Sequence, residues 1–433
     1  MNTLHMHAFH DRPSAATKPV ATLDLVAVQR RTLRVLFATQ IVGGIGVGIG
    51  ASVEALLAAE LAGIGVSGLA PSATVVGAAL LALPATEIVR RRGRRPSLAA
   101  CYLVATLGSI VVVMAAVQGA ISWLFAGFFL FGGATGAGLQ ARYAAVDLAP
   151  AALHGRHLSI VVWATTLGAI AGPNLAAFAG ASLDDYGVPT PAGPFCFSAL
   201  LFGLAAIVLM VLMRPDPAVL GRRAGAHSTE GAPPQKHLVV RAALRAVVSH
   251  PSARLGVTAM AVGHFVMIGV MAMTPVHIRS AGHDSLHTLR IVGVVLSIHI
   301  AGMYAFAPAI GWLTDRFGRR PVILAGFASL LMACVLAGSA GHNTARLAIG
   351  LMVLGIGWSS TMVAGSTLLS ESVSVELRTS AQGLSDVTMG LAGASAGALS
   401  GAMMHAWGFP MLAFIAALST TPFIVLATRR IRV

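Results

Sequence analysis

Four ionisable side chains lie inside long apolar stretches of this chain: Glu54, Asp386, His264 and His299. A charge at the centre of a bilayer costs at least about 2.5–3.5 kcal/mol, so an ionisable residue in such a stretch is a candidate for function. Proton transfer is the chemistry that these residue types suggest. Glu54 is the first candidate, because its carboxyl could carry a proton between two sides of a membrane. The alternative is that the first helix ends early and Glu54 meets outer water.

The other three ionisable residues leave more than one interpretation open. Asp386 could titrate or bind a cationic substrate, but we favour a structural ion pair with Arg142 or Arg378. Histidine titrates near neutral pH, so His264 and His299 could exchange protons or hydrogen-bond a substrate. Each histidine could equally be a hydrogen-bonded packing residue.

Four uncharged side chains also fall within the apolar stretches: Gln40, Trp163, Asn174 and Trp358. An indole N–H in the middle of an apolar helix needs a partner or a water-lined cavity. The two amides could line the same cavity or bond between helices. We predict that these four residues line a substrate cavity.

Twelve apolar segments, from residues 34–58 to residues 408–428, must position these side chains. A run of about 20 apolar residues crosses a hydrocarbon core of ~30 Å. The 433 residues are 56% hydrophobic and only 10% charged, whereas an average domain carries about 25% charged residues. The composition therefore predicts an all-α polytopic membrane protein with twelve transmembrane helices.

The net charge of +14 indicates how the chain is oriented in the membrane and does not indicate nucleic-acid binding. Basic residues concentrate at alternate ends of the segments, as in residues 90–95, 214–254 and 316–320. Loops rich in Lys and Arg stay in the cytoplasm. We therefore expect a multi-pass protein of the cell (inner) membrane with both termini in the cytoplasm, and no nucleic-acid partner.

Two Arg-rich turns, residues 86–96 and 311–321, lie 225 positions apart and share the tetrapeptide Gly-Arg-Arg-Pro. Gly168 and Gly172 match Gly393 and Gly397 at the same offset. Repeats of this kind are typical of secondary transporters. The repeat predicts a tail at 1–32, one bundle of helices at 33–213, a linker at 214–252 and a second bundle at 253–433.

Metal binding and nucleotide-driven transport find little support in the sequence. His-rich tracts can bind metal, and two occur here: His5, His7, His10 and Asp11, and then His277, His283, Asp284 and His287. Neither tract lies on the predicted path through the membrane. The chain has no nucleotide-binding loop of the Gly-x-x-x-x-Gly-Lys type. We expect no cofactor, no metal and no enzymatic activity.

The second turn, with Gly311, Leu313, Asp315, Arg316, Gly318, Arg319 and Arg320, resembles the loop signature of the major facilitator superfamily. Twelve segments in two sets of six resemble the same family, so the resemblance covers nearly the whole chain. It implies two six-helix bundles, each of inverted three-helix repeats, around a central cavity. It also implies alternating access, a small-molecule substrate and a lipid bilayer as partners. We expect a monomer.

The resemblance also implies a cytoplasmic gate. In this family the loop aspartate meets the N-terminal end of a helix in the opposite bundle, where the helix dipole favours a carboxylate. Asp315 would then approach Gly155 and Arg156. In the first turn Arg90 stands at the matching position, and Glu87 could supply the lost carboxylate. We predict an asymmetric gate, carried chiefly by the second turn.

The direction of transport rests on a partial motif. Gly168, Gly172 and Pro173 are similar to the fifth-helix motif of proton-coupled drug antiporters, although Ala176 and Leu130 depart from the patterns of those families. We predict proton-coupled efflux of small apolar or amphipathic compounds. Uptake of a nutrient or metabolite by symport or facilitation is the alternative, and a non-transporting scaffold or sensor is a third.

Overall fold

The computed structural model describes residues 25–150, 153–225, 236–374 and 377–428. In the first half of the chain the α-helices are α1 (Leu25–Ala51), α2 (Glu54–Ala62), α3 (Ile64–Ser67), α4 (Leu69–Arg92), α5 (Arg94–Gln118), α6 (Ile121–Phe131), α7 (Gly133–Ala144), α8 (His154–Ala181) and α9 (Gly193–Leu212). They continue with α10 (Pro217–Gly225), α11 (Lys236–Ser249), α12 (Pro251–Arg279), α13 (Ser285–Tyr304), α14 (Ala307–Phe317), α15 (Arg319–Gly338), α16 (Thr344–Ser372) and α17 (Arg378–Thr428).

Eleven helical stretches of the described residues are long and apolar enough to cross a membrane. The last, Ser380–Val425, has 46 residues, about twice the length that a bilayer needs. It bends at Gly408, where φ is 78°, so it makes two crossings. The described part of the chain therefore makes twelve crossings, and the predicted all-α polytopic fold is confirmed.

The buried apolar side chains form two main clusters, one for each half of the chain. One cluster runs from Val35 to Met213 and the other from Leu255 to Ala416. Ala55 belongs to the cluster of the second half, and Leu289 to that of the first. The fold is thus two six-helix bundles, and the few residues that cross between the clusters mark where the bundles touch.

Helices α1 and α8 pack backbone against backbone inside the first bundle. A Cβ added to Gly172 would lie 2.7 Å from the Cα of Gly48, and one added to Gly168 would lie 2.5 Å from the carbonyl oxygen of Ile41. Pro173 follows on the same face, 3.1 Å from a Cβ built on Gly48. Small residues let membrane helices approach this closely. The glycine pattern of the fifth segment therefore serves helix packing.

Four crossings are interrupted in the described residues. The first breaks between α1 and α2, the second at Gly68 between α3 and α4, the fourth at Gly132 between α6 and α7, and the eighth between α13 and α14. Interrupted helices often border the binding sites of transporters. The crossings interrupted at Gly132 and after Tyr304 carry two residues of the cavity lining described below, Arg142 and Tyr304.

Gly172→Ala tests the α1–α8 contact. The added Cβ collides with the Gly48 backbone, so we expect a loss of about 1–3 kcal/mol of stability, measured as a lower Tm in detergent. Gly390→Ala on α17 is the matched control, because nothing lies within 4 Å of a Cβ there. Equal Tm values for the two variants would contradict the packing described.

Candidate substrate cavity and gates

The membrane-crossing helices define two faces of the molecule. We call the basic face the side that holds both Arg-rich turns, around Gly93 and Gly318, and the opposite face the side that holds the turns at residues 62–68 and 280–284. Gly93 has a φ of 103° and Gly318 a φ of 91°, a region in which other residues are strained. Each turn therefore requires its glycine to reverse the chain within a few residues.

A cavity of about 290 Å³ lies among α1, α5, α7, α8 and the end of α13. Its polar lining includes Gln40, Tyr102, Arg142, Thr165 and Tyr304. The Gln40 amide donates to the Tyr102 hydroxyl at 3.1 Å and accepts from Thr165 Oγ1 at 3.1 Å. Small-molecule sites typically measure roughly 300–1,000 Å³, so this cavity accommodates a compact ligand.

Trp358 and His264 form a layer behind Tyr304 in the second bundle. The indole Nε1 of Trp358 donates to His264 Nδ1 at 3.0 Å. The Tyr304 and Trp358 rings meet edge to face with centroids 6.0 Å apart. Trp358, which we predicted to line the cavity, thus supports the cavity wall from behind. Its N–H is bonded to His264, one of the residues predicted to exchange protons.

The other predicted cavity residues lie elsewhere. Asn174 donates to Ser297 Oγ at 2.5 Å and to the carbonyl of Ile170, at a contact between the bundles. Trp163 is 59% exposed and does not belong to the cavity lining. Of the four predicted cavity residues, Gln40 is the one that the structure places in the lining.

His299 lies inside the second bundle, between α13 and α16. It is fully buried, and its Nδ1 donates to the carbonyl of Leu351 at 2.8 Å. Among the described residues, Nε2 has no hydrogen-bond partner. His299 is therefore placed as a hydrogen-bonded packing residue, and it does not line the cavity.

Glu54 begins α2, directly after the break in the first crossing. It is 2% exposed, so it does not meet outer water. Thr74 Oγ1 donates to its Oε2 at 3.1 Å, and Oε1 has no partner in the described part of the chain. Glu54 is absent from the cavity lining. The structure therefore separates the first candidate for proton exchange from the cavity.

The bundles meet along a seam in the half of the membrane nearer the opposite face. We define the seam as two contacts, α4 with α17 and α8 with α13. In the first contact, a Cβ on Gly401 would lie 2.7 Å from the Gly68 nitrogen, and Ser72 Oγ donates to the Ala394 carbonyl at 2.7 Å. This approach leaves no room for a passage.

The second contact of the seam joins α8 to α13. A Cβ on Gly293 would lie 2.8 Å from the Pro173 carbonyl oxygen, and Ser297 Oγ donates to the Ile170 carbonyl at 2.9 Å. Nearer the opposite face, Arg279 lies 3.9 Å from Glu60. Side chains of both bundles thus close this face.

On the basic face, each Arg-rich turn is tied to its own bundle. Arg94 pairs with Asp147 at 2.9 Å, and Arg319, 225 positions later, pairs with Glu371 at 2.5 Å. These acids end the fourth and tenth crossings. The two pairs are structural equivalents in the repeat, and each fixes a turn within one half of the protein.

The predicted gate residues of the second turn form no bridge between the bundles among the described residues. Asp315 is 77% exposed and lies 3.7 Å from Arg319. Arg316 stacks over the Trp312 ring. Gly311 has no neighbour that a Cβ would meet, and Arg320 is half-buried. Gly155, the other predicted neighbour of Asp315, belongs to the first turn of α8.

Glu87 does not hold the first turn in the way that we expected of a replacement for the lost carboxylate. Glu87 pairs with Arg90 at 2.6 Å and with Arg91, all on the exposed surface. The carboxylate that holds this turn is instead Asp216, which accepts from the Arg95 backbone N–H at 2.7 Å. It also accepts from the N–H of Ala218 at 3.0 Å, as the cap of α10. An Asp before Pro217 is a helix-start signal, so the sequence held a clue to this role.

Arg156 and Arg30 lie apart from these turns, in a cleft of about 660 Å³ where α1 and α8 begin. Both are exposed. The salt bridges of the described residues do not join Asp315 to Arg156. The predicted contact of Asp315 with Arg156 is therefore not made among the described residues.

The His-rich tracts show no metal geometry in the described residues, which contain no group of three or more His, Cys, Asp or Glu side chains able to hold an ion. His5, His7, His10 and Asp11 lie outside the described residues. Asp284 instead caps α13, where the backbone N–H of His287 holds the pKa of its carboxyl below the ordinary value.

Two bundles around a cavity, closed on one face and with their turns on the other face unconnected by salt bridges in the described residues, have the architecture of a secondary transporter. Residues 35–289 and 283–432 match the sequence model of the Major Facilitator Superfamily. The chain belongs to this family, as the turn signature predicted, and it is a multi-pass membrane transporter.

Similar proteins agree with this assignment. The uncharacterized MFS-type transporter YdeG of Bacillus subtilis (strain 168) is 38% identical over 392 residues, 90% of this chain and 89% of YdeG. The riboflavin transporter RfnT of Brucella anthropi is 27% identical over 359 residues, 78% of this chain and 82% of RfnT. The crystal structure of the nucleoside transporter NupG superposes with a TM-score of 0.72 at 16% identity, covering 92% of this chain and all of NupG.

A double variant tests the closed opposite face. A Cβ on Gly65 would lie 3.8 Å from the Cβ of His405 across the bundles, which suits a disulfide. In a protein without its native cysteines, we expect Gly65→Cys with His405→Cys to resist PEG-maleimide after mild oxidation and to stop transport until reduced. Gly65→Cys alone is the control. Two cysteines that stay reactive after oxidation would contradict this contact.

Proposed function

We propose that this transporter works by alternating access and exports a small amphipathic compound in exchange for protons. The observation that carries the proposal is the distribution of contacts between the bundles. They meet along the seam near the opposite face, while each Arg-rich turn on the basic face is tied to its own bundle. A rocking motion can separate the seam and bring the turns together without breaking either bundle.

Orientation follows from charge. We place the basic face in the cytoplasm, because loops rich in Arg remain on that side. The structure then corresponds to a state closed toward the outside. Asp315, exposed on the basic face, is free to approach the start of α8 when the bundles rock. The second turn thereby carries the inner gate.

Proton coupling rests on Glu54. A carboxylate with one unpartnered oxygen in an apolar interior lacks the hydrogen bonds that water supplies, so the protonated form suits this closed state. Helix α2 starts at Glu54 and contacts the second bundle, because Ala55 belongs to the core of that bundle and Glu60 faces Arg279. A change of charge at Glu54 therefore acts directly on a contact between the bundles.

The energy for export comes from the proton gradient. Membrane potential contributes about 2.3 kcal/mol per charge per 100 mV. A proton that enters from outside, neutralises Glu54 and leaves inside biases the exchange between the two states. Glu54 stands apart from the cavity, so coupling acts through the contact of α2 with the second bundle rather than through direct contact with the ligand.

Uptake is the second candidate function. RfnT, a relative by sequence, bears the name of a riboflavin transporter, and the same architecture serves import when a ligand and a proton move together. Fold alone does not choose between the directions.

Glu54→Gln tests coupling and direction together. Everted vesicles with an acidic interior should accumulate riboflavin or 2-naphthoate when they contain the native chain. A glutamine amide neither gains nor loses a proton in this pH range, so Glu54→Gln should abolish gradient-driven accumulation and retain exchange of labelled for unlabelled compound. Asp185→Asn, at an exposed position in the turn after α8, is the control and should retain accumulation.

Two results would contradict this proposal. Flux that is independent of the proton gradient in both the native chain and Glu54→Gln would contradict proton coupling. Accumulation only in right-side-out vesicles would replace export by uptake.

A further inference from the structure

Arg142 is the cation of the cavity, and its charge is not neutralised by an ion pair in the described residues. It belongs to the last turn of α7, is half-buried, and lines the cavity. The salt bridges found in the described residues, all within 4.0 Å, do not include it. Arg94 and Arg319, by contrast, are each paired with an acid of their own bundle.

The charge of Arg142 acts on groups of the second bundle. It interacts electrostatically with Asp386 on α17 and with the Tyr304 hydroxyl at the end of α13. Asp386 is exposed and lies outside the cavity lining. The cation of the cavity therefore attracts a carboxylate of the other bundle without an ion pair between them in the described residues.

An arginine in this position is suited to receive an anion. An unpaired charge within a membrane protein is costly. The guanidinium fork donates two parallel hydrogen bonds to a carboxylate or phosphate. Arg142 is the strongest hydrogen-bond donor available on this wall of the cavity. The Gln40 amide is already bonded to Tyr102 and Thr165.

Across the cavity the second bundle offers an aromatic surface. Tyr304 is 36% exposed and is backed by Trp358, which His264 holds in place. Val47, Leu139 and Val162 add apolar lining on the first bundle. An aromatic ring fits between these surfaces with an anionic group directed at Arg142.

We propose that the cavity binds compact aromatic compounds that carry one anionic group. Arg142 binds the anionic group of the ligand, which then replaces Asp386 as the partner of its charge. The aromatic ring of the ligand packs against Tyr304. This ligand class is the substrate class of the proposed transporter, so its physiological meaning rests on the proposed transport function. The binding itself is measurable without transport.

Binding of 2-naphthoate and of its neutral amide, 2-naphthamide, to the purified full chain tests the proposal by calorimetry. The two probes have nearly the same shape and differ in charge. We expect the native chain to bind naphthoate at least about tenfold more tightly, since a hydrogen bond between charged groups is roughly twice as strong as one between neutral groups. Arg142→Gln should abolish this preference by weakening naphthoate alone, and Arg142→Lys should retain part of it.

Two further variants keep the test decisive if Arg142→Gln folds poorly. Asp386→Asn should raise naphthoate affinity, because it removes the competing carboxylate, and Tyr304→Ala should weaken both probes. Arg290→Gln, an exposed arginine on α13, is the control and should change neither. Equal affinities of the native chain for the two probes, or a preference that survives Arg142→Gln, would overturn the inference.

Failure of the inference and failure of the transport function give different results. Gradient-driven accumulation of riboflavin with no charge preference in the cavity overturns only the substrate class. A charge preference in binding, with gradient-independent flux, overturns only the proton coupling.

Discussion

The close approach of backbones along the seam is the contact on which the rest of the structure depends. Gly68 meets Gly401, and Gly293 meets Pro173, at distances that exclude a side chain. Inside a bilayer no water competes for backbone groups, and small residues give two helices extended van der Waals contact. The seam closes the opposite face, and its position leaves the cavity walls of the two bundles separate toward the basic face.

Charge pairs on the basic face complement the seam. Arg94 with Asp147 and Arg319 with Glu371 bind each turn to the crossing beside it, so a turn moves with its bundle. The repeat is not symmetric, because Asp216 of the connecting segment holds the first turn whereas Asp315 of the second is exposed. The first turn is thereby a fixed part of its bundle, and the second leaves Asp315 exposed, where we propose that it contacts the opposite bundle.

The sequence predicted the helices and the family, because hydrophobic length and the 225-residue repeat are properties of the linear chain. It predicted the cavity poorly. Gln40 and Trp163 both lie in the middle of apolar segments, yet Gln40 lines the cavity and Trp163 is exposed, because packing of α1 on α8 sets how each helix is rotated. The cavity lining also includes Arg142 from the last turn of α7, and the contact of Asp216 with the first turn joins residues 121 positions apart.

Distances between spin labels on both faces test the rocking of the two bundles most directly. One pair replaces Arg92 and Arg316 on the basic face, and the other replaces Gln118 and His342 on the opposite face, in a chain without its native cysteines. A shift of pH or addition of 2-naphthoate should shorten the first distance as it lengthens the second. Two distances that stay constant, or that lengthen together, would contradict alternating access in this protein.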